Sequence, residues 1–197
     1  MKEINQLLLD YYNSKQYPRK FGRYSVSDIY KIKKKELTPG NFFSLNKLDM
    51  KGLKNIWRGI GLEDKLTNDF REIGIKQERT EDDKQIKIEH KLTDEITLVM
   101  KPDFVLDNFV IETKCPNKIY DKVPPWYEYQ CEAQYRMLNK DVYLTLINIY
   151  DNEYPLLLPI KYEPKEKKWE EIKSIITKFH ELLKQQTQNE QDTTINN

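Results

Sequence analysis

At 197 residues the chain has the size of one domain with room for appendages, and it can bury roughly two-thirds of its unfolded surface. Charged residues make up 33% and aromatic residues 12%, which is too aromatic for a disordered chain. No apolar run approaches the ~20 residues of a bilayer span. The stretch 1–10 holds only three consecutive leucines and no small-residue cleavage site, so it does not read as a secretory signal. Two cysteines, Cys115 and Cys131, are too few for a disulfide scaffold or a four-thiolate cluster. They read as reduced, partly buried thiols of a cytoplasmic protein. The net charge of +1 hides an uneven distribution. Residues 1–58 carry 13 Lys/Arg against 5 Asp/Glu, a net +8; residues 59–112 carry 8 against 14, a net −6. A basic first third beside an acidic middle suits a polyanion-binding arm next to a cation-binding centre.

Residues 1–12 read as a short amphipathic helix, with Ile4, Leu7, Leu8 and Tyr11 at helical spacing. Residues 13–24 form a basic, aromatic connector. Ser25-Val26-Ser27-Asp28 offers a helix start with a capping box between Ser25 and Asp28, and that helix runs to about Lys35. A further helix spans about 49–72, with a break expected near Gly59 and Gly61. From about 75 the period changes to two, and segments 84–91, 95–102 and 103–114 read as strands. Pro124-Pro125 introduces a helix over about 126–139. Strands follow at 142–149 and 155–162, and an amphipathic helix at 168–183 closes the fold. Residues 185–197 are polar and uncapped and are expected to be disordered. The order predicts one α/β domain with a mixed β-sheet flanked by helices and an N-terminal helical extension. Its parts are a basic helical region over 1–58 packed on the core, the core itself over 59–184, and the tail.

The stretch 101–114 carries the chemistry. If Asp107-Asn108 forms a two-residue turn, Leu106 faces Phe109, Val105 faces Val110, Phe104 faces Ile111 and Asp103 faces Glu112. Asp103, Glu112 and Lys114 then project from one face. Two carboxylates would lie about 5 Å apart at Cβ in an apolar setting, which is unfavourable without a cation between them. Mg²⁺ or Mn²⁺ resolves that conflict, because it takes hard oxygen ligands and keeps waters that a phosphate can replace. Lys114 can orient or deprotonate an attacking water.

Pro102-Asp103 followed by Glu112-Thr113-Lys114 resembles the PD-(D/E)xK nuclease signature. Flanking features resemble its RecB-like branch, which includes lambda-exonuclease-type enzymes and CRISPR-associated iron–sulfur nucleases. Gly59-Ile60-Gly61-Leu62-Glu63 is similar to an upstream helix motif whose Glu63 assists the metal. Gln130 matches the glutamine of the helix after the Glu-x-Lys strand, although Gln134 is an alternative that the spacing leaves open. Ser25-Val26-Ser27-Asp28-Ile29 resembles the N-terminal helix start. The resemblance covers about residues 24–149 and implies a restriction-endonuclease-like core. It also implies a metal held by Glu63, Asp103, Glu112 and the Thr113 carbonyl, with Lys114 and Gln130 completing the catalytic set. The cysteines that an iron–sulfur member needs are missing, so no cluster is expected.

Lys31, Lys33, Lys34 and Lys35, with Arg19, Lys20 and Arg23 upstream, are interleaved with aromatic residues including Tyr24. Single-stranded nucleic acids bind such mixtures, with cations tracking phosphates and rings stacking on bases. The reading is a Mg²⁺- or Mn²⁺-dependent deoxyribonuclease acting on single strands or strand ends in replication, recombination or repair, by analogy including viral systems. A homo-oligomer or a replication or recombination partner protein fits that role, and no membrane partner is expected. The alternatives are a non-catalytic nucleic-acid-binding protein on the same fold, and an RNA endonuclease. His90 and His180 read as structural.

Overall fold

The computed structural model describes residues 2–45, 47–149, 152–153 and 155–195. Helix α1 (Lys2–Ser14) leads to a short strand, β1 (Arg23–Ser25), and a small helix, α2 (Ile29–Lys33). The long helix α3 (Met50–Glu72) precedes strands β2 (Ile88–Lys91), β3 (Thr97–Met100), β4 (Phe104–Val105) and β5 (Phe109–Lys114). Helix α4 (Pro125–Leu138), strands β6 (Asp141–Ile147) and β7 (Leu157–Lys161), and helix α5 (Glu166–Ile195) complete the chain. Helices thus flank mixed β-structure, with a helix at the N-terminus, as the element order predicts.

The strands form two sheets. One is ordered β1-β3-β2, with β1 parallel and β2 antiparallel to β3. The other is ordered β4-β5-β6-β7, in which only the β5–β6 pair is parallel. The hairpin register is the one the sequence predicts: Phe104 pairs with Ile111 and Val105 with Val110. The turn closes through the Leu106 amide on the Phe109 carbonyl at 2.9 Å. Among the described residues positive φ is confined to Lys35, Asp83, Asn139, Gly22 and Gly74, so Asp107-Asn108 turns without it.

Three apolar clusters lie around this frame. Val110, Val142, Leu144 and Leu146 pack with Cys131 of α4 on one face of the four-stranded sheet. Leu66 and Phe70 of α3 pack with Phe104, Leu106 and Ile147 on another. The largest cluster joins Tyr24, Ile29, Leu98 and Met100 to Tyr129 and Ala133 of α4 and to Ile172, Ile176 and Phe179 of α5.

Several elements depart from the sequence expectations for identifiable reasons. Helix α3 runs unbroken through Gly59 and Gly61, where a Cβ would meet nothing within 4 Å. The Asp49 carboxylate caps it by accepting from the Gly52 amide at 2.7 Å, and twenty-three residues of helix tolerate two weak positions. The Ser25–Asp28 capping box does not form, because Asp28 turns inward to bind Arg19 at 3.0 Å and Lys31 at 3.2 Å. Residues 23–25, expected to be connector and helix start, instead pair with β3. On α1, Ile4, Leu7 and Tyr11 remain exposed rather than packed on the core. The closing helix continues to Ile195, through most of the segment expected to be a disordered tail; residues 196 and 197 lie outside the described residues. No described helix is long and apolar enough to cross a membrane.

Candidate active site

Strand β5 alternates strictly. Val110, Glu112 and Lys114 point toward α4, and Phe109, Ile111 and Thr113 toward α3. Glu112 therefore sits in an apolar layer at 2% exposure, a position that a glutamate occupies only with partners. It has two: Lys114 Nζ forms an ion pair with Oε1, and Gln134 Nε2 donates to Oε2 at 2.7 Å. Gln134 comes from α4, which starts on Pro125 and stops where Asn139 takes the left-handed conformation.

Asp103 stands just before β4. Its Oδ2 accepts from both the Thr113 amide and the Thr113 hydroxyl at 2.7 Å. Its Oδ1 accepts from Gln85 Nε2 at 3.2 Å. The same Gln85 nitrogen donates to Glu63 Oε1 at 2.6 Å, so one amide ties α3 to the hairpin. Each hairpin carboxylate thus has one oxygen held by a fixed neutral donor and the other held by a long, rotatable side chain.

The electrostatics follow from this crowding. Burial pushes the Glu63 carboxyl up to about 7, helped by the nearby Asp103 and Glu112 charges. Burial, and then Asp103, also raise Glu112 above the usual carboxylate range, against the opposing pull of Lys114. For Lys114, burial favours the neutral amine, but the Glu112 and Asp103 carboxylates outweigh it and hold the ammonium above the ordinary lysine value. Three carboxylates with one ammonium carry an excess of negative charge. That donor set of hard oxygens fits a divalent cation of the Mg²⁺ or Mn²⁺ kind. Gln134 Oε1, buried and without a hydrogen-bond partner, adds an uncommitted acceptor behind Glu112.

The group opens into a cleft of about 470 Å³ lined by Glu63, Asp103, Thr113 and Lys114 at its floor and by Arg58 and Tyr127 at its sides. Gly59 also lines it, four residues before Glu63 on the same helix. Lys114 Nζ lies 5.5 Å from the centre of the Tyr127 ring.

The structure thus brings together Glu63, Asp103, Glu112, Thr113 and Lys114. Of the two glutamines, Gln134 reaches Glu112, whereas Gln130 is half-buried one turn earlier on α4. Gln85 escapes sequence reasoning, because a lone glutamine in a charged stretch carries no pattern. Four of the seven basic residues singled out between Arg19 and Lys35 are engaged elsewhere. Arg19 and Lys31 bind Asp28, Arg23 binds Glu89, and Lys33 binds Glu171 at 2.5 Å and the Tyr129 hydroxyl. Tyr24 is 1% exposed and bonded to His180 Nδ1 at 2.8 Å, so its ring is core and cannot stack on a base. Lys20, Lys34 and Lys35 remain exposed.

His180 is a buried packing residue. With Glu95 and Glu181 it brings ligand-type atoms within 4.8 Å of one another, but Lys184 already holds Glu95 at 3.1 Å. This group fastens α5 to the turn between β2 and β3. A second buried acid, Glu132, accepts from Arg136, Tyr162 and the Lys165 amide, and so pins the start of α5 to α4.

No family model matches the chain, and no curated protein matches it in sequence. Among solved structures, an alkaline exonuclease from Laribacter hongkongensis is similar over 89% of this chain and 95% of its own, with a TM-score of 0.66 and 16% identity. The same exonuclease in complex with dAMP gives 17% identity over the same coverage. The structure of SSO0001 is similar with a TM-score of 0.56 and 14% identity, over 87% of this chain and 83% of its own. The chain therefore has the fold of an alkaline exonuclease, with Glu63 and Asp103 lining its cleft and Glu112 buried next to the cleft-lining Lys114.

Proposed function

We propose that the protein is a metal-dependent nuclease that hydrolyses phosphodiester bonds of DNA at single strands or strand ends. The observation that carries this reading is the cluster of Glu63, Asp103 and Lys114 lining one cleft with Glu112 buried against Lys114, Glu63 and Glu112 both being raised by burial and then by the Asp103 charge. The shared fold supports nuclease chemistry, and the dAMP complex of the bacterial exonuclease supports a deoxynucleotide substrate.

Asp103, Glu112 and the Thr113 carbonyl would hold Mg²⁺ or Mn²⁺, with Glu63 assisting directly or through water. When bound, such an ion lowers the pKa of water and offsets charge on the phosphate. The chain's own residues do the rest. Thr113 fixes one Asp103 oxygen and Gln134 fixes one Glu112 oxygen, which leaves Oδ1 and Oε1 to be shared. Lys114, held cationic by Glu112 and Asp103 in the metal-free protein, would position or activate the attacking water and offset charge on the phosphate. Gln130 and Gln134 divide the α4 role: Gln134 orients Glu112, and Gln130, three residues after the cleft-lining Tyr127 on α4, would contact substrate. A replication, recombination or repair role in a cytoplasm fits such an activity.

The test is cleavage of end-labelled single-stranded DNA with Mg²⁺, Mn²⁺ or EDTA, using Asp103→Asn as the inactive control. Metal-dependent cutting lost in the variant is expected. Binding without cutting under every metal would favour the non-catalytic alternative, and cutting confined to RNA would favour the RNA endonuclease.

A further inference from the structure

Exposed cations stand next to the segments that line the cleft as well as beside α2. The first thirteen residues of α3, 50–62, hold Lys51, Lys54 and Arg58 and no acid. These three fall at i, i+3 and i+7, so they form one stripe along the helix. Arg58 lines the cleft with its neighbour Asn55, and the stripe continues outward from there. On the opposite bank, the segment after Pro116 exposes Lys118 and Lys122, with only Asp121 between them. Arg58 Nη1 reaches across to Asn117 Oδ1 at 3.2 Å, so the two banks meet. Among the described residues, Lys51, Lys54, Lys118 and Lys122 are all exposed and none takes part in an ion pair. In the α2 segment Lys31 and Lys33 are bound to carboxylates, which leaves Lys34 and Lys35 exposed at its end, away from the cleft lining.

The banks are also aromatic. Trp126 is 40% exposed and packs edge-on against Tyr120 and Tyr127, each at 5.9 Å. Tyr127 borders Lys114 at the cleft floor. An aromatic ledge of Tyr127, Trp126 and Tyr120 thus starts at Lys114 in the cleft and includes the exposed Trp126.

We infer that a single nucleic-acid strand enters the site along this rim, with its phosphates on Lys51, Lys54, Lys118 and Lys122 and an unpaired base on the Trp126 ledge. An acidic floor that takes a cation and a basic rim that takes phosphates are the two halves of such a site. Exposed ring faces suit unpaired bases, which stack on aromatics without sequence preference. The inference rests on the proposed nuclease reading and names where its substrate lies.

The experiment is fluorescence anisotropy of a short fluorescein-labelled oligothymidylate with the full chain in Ca²⁺, titrated over a range of salt. Each phosphate contact contributes about 0.7 to the salt slope for a single strand, so Lys51→Gln/Lys54→Gln should lower the slope by about 1.4. Lys118→Gln/Lys122→Gln should do the same. Trp126→Ala should weaken binding with the slope unchanged. Lys34→Gln/Lys35→Gln should leave both affinity and slope as in the wild type. A loss confined to the Lys34/Lys35 variant, or unchanged slopes in both rim variants, would overturn the inference and leave the nuclease reading standing. Failure of the wild type to bind any oligothymidylate would defeat that reading and the inference with it.

Discussion

Gln134 Nε2 donates to Glu112 Oε2 at 2.7 Å inside the protein, where both side chains are almost fully buried. The bond fixes the rotamer of a carboxylate that would otherwise be free to turn in an apolar layer. Gln134→Leu removes the donor and leaves a buried acceptor short of a partner, a loss of roughly 1–3 kcal/mol. Outer partners of metal ligands typically govern affinity by about 10–100-fold. Isothermal titration of Mn²⁺ into Gln134→Leu should show weakening in that range, whereas Gln130→Leu should keep wild-type Mn²⁺ affinity and lose oligonucleotide cleavage through a raised KM.

The Lys114–Glu112 pair sets the stability of the metal-free site. Deleting one member of a buried pair strands the other, at about 3–5 kcal/mol. Lys114→Met should therefore unfold at clearly lower urea in EDTA. Adding Glu112→Gln to it should recover most of the loss, because the stranded charge is then removed. A double variant no more stable than Lys114→Met would show that the pair is not the source.

Glu63 gives the metal-free protein a pH dependence of definite sign. Its carboxyl is raised in the folded protein from 4.5 to about 7, so folding favours the protonated form. That contribution is complete below about pH 4.5 and is lost as pH rises through about 7. The Tm in EDTA should fall between pH 5 and pH 8, and Glu63→Gln should flatten that fall. Mn²⁺ affinity should move the opposite way, tightening with rising pH as the carboxylates give up protons.

Gln85 links Glu63 and Asp103 through one nitrogen, and so docks α3 on the hairpin. Gln85→Ala should cost the metal-free protein about 1–3 kcal/mol, from two carboxylates that lose a shared donor. Saturating Mn²⁺ should narrow the gap, because the cation supplies the same link. Equal losses with and without Mn²⁺ would place the role of Gln85 outside the metal site.

The hairpin was legible because period-two alternation and a short turn fix register without tertiary information, and register fixes which residues share a face. Glu63 was legible only through the resemblance of residues 59–63 to a family motif, since a helix glutamate beside Asp64 and Lys65 has no pattern of its own. Gln85 reaches the site through tertiary packing that no local signal reports, and packing also decides that Gln134, which the spacing leaves open beside Gln130, is the one that reaches Glu112. Part of the basic first third is spent within the fold for a related reason. Composition counts Lys31, Lys33 and Arg19 as cations, but their carboxylate partners Asp28 and Glu171 come into range only on folding. Tyr24 reads as a surface aromatic because the strand that buries it, β1, is three residues long and pairs with β3 more than seventy residues away.

The most direct test of the central claim is cleavage of end-labelled single- and double-stranded DNA and single-stranded RNA in Mg²⁺, Mn²⁺ and EDTA, by the wild type and by Lys114→Ala purified in parallel. The account predicts DNA cutting that needs the metal and disappears in the variant. Cutting that survives EDTA, or that persists at wild-type rate in Lys114→Ala, would contradict it.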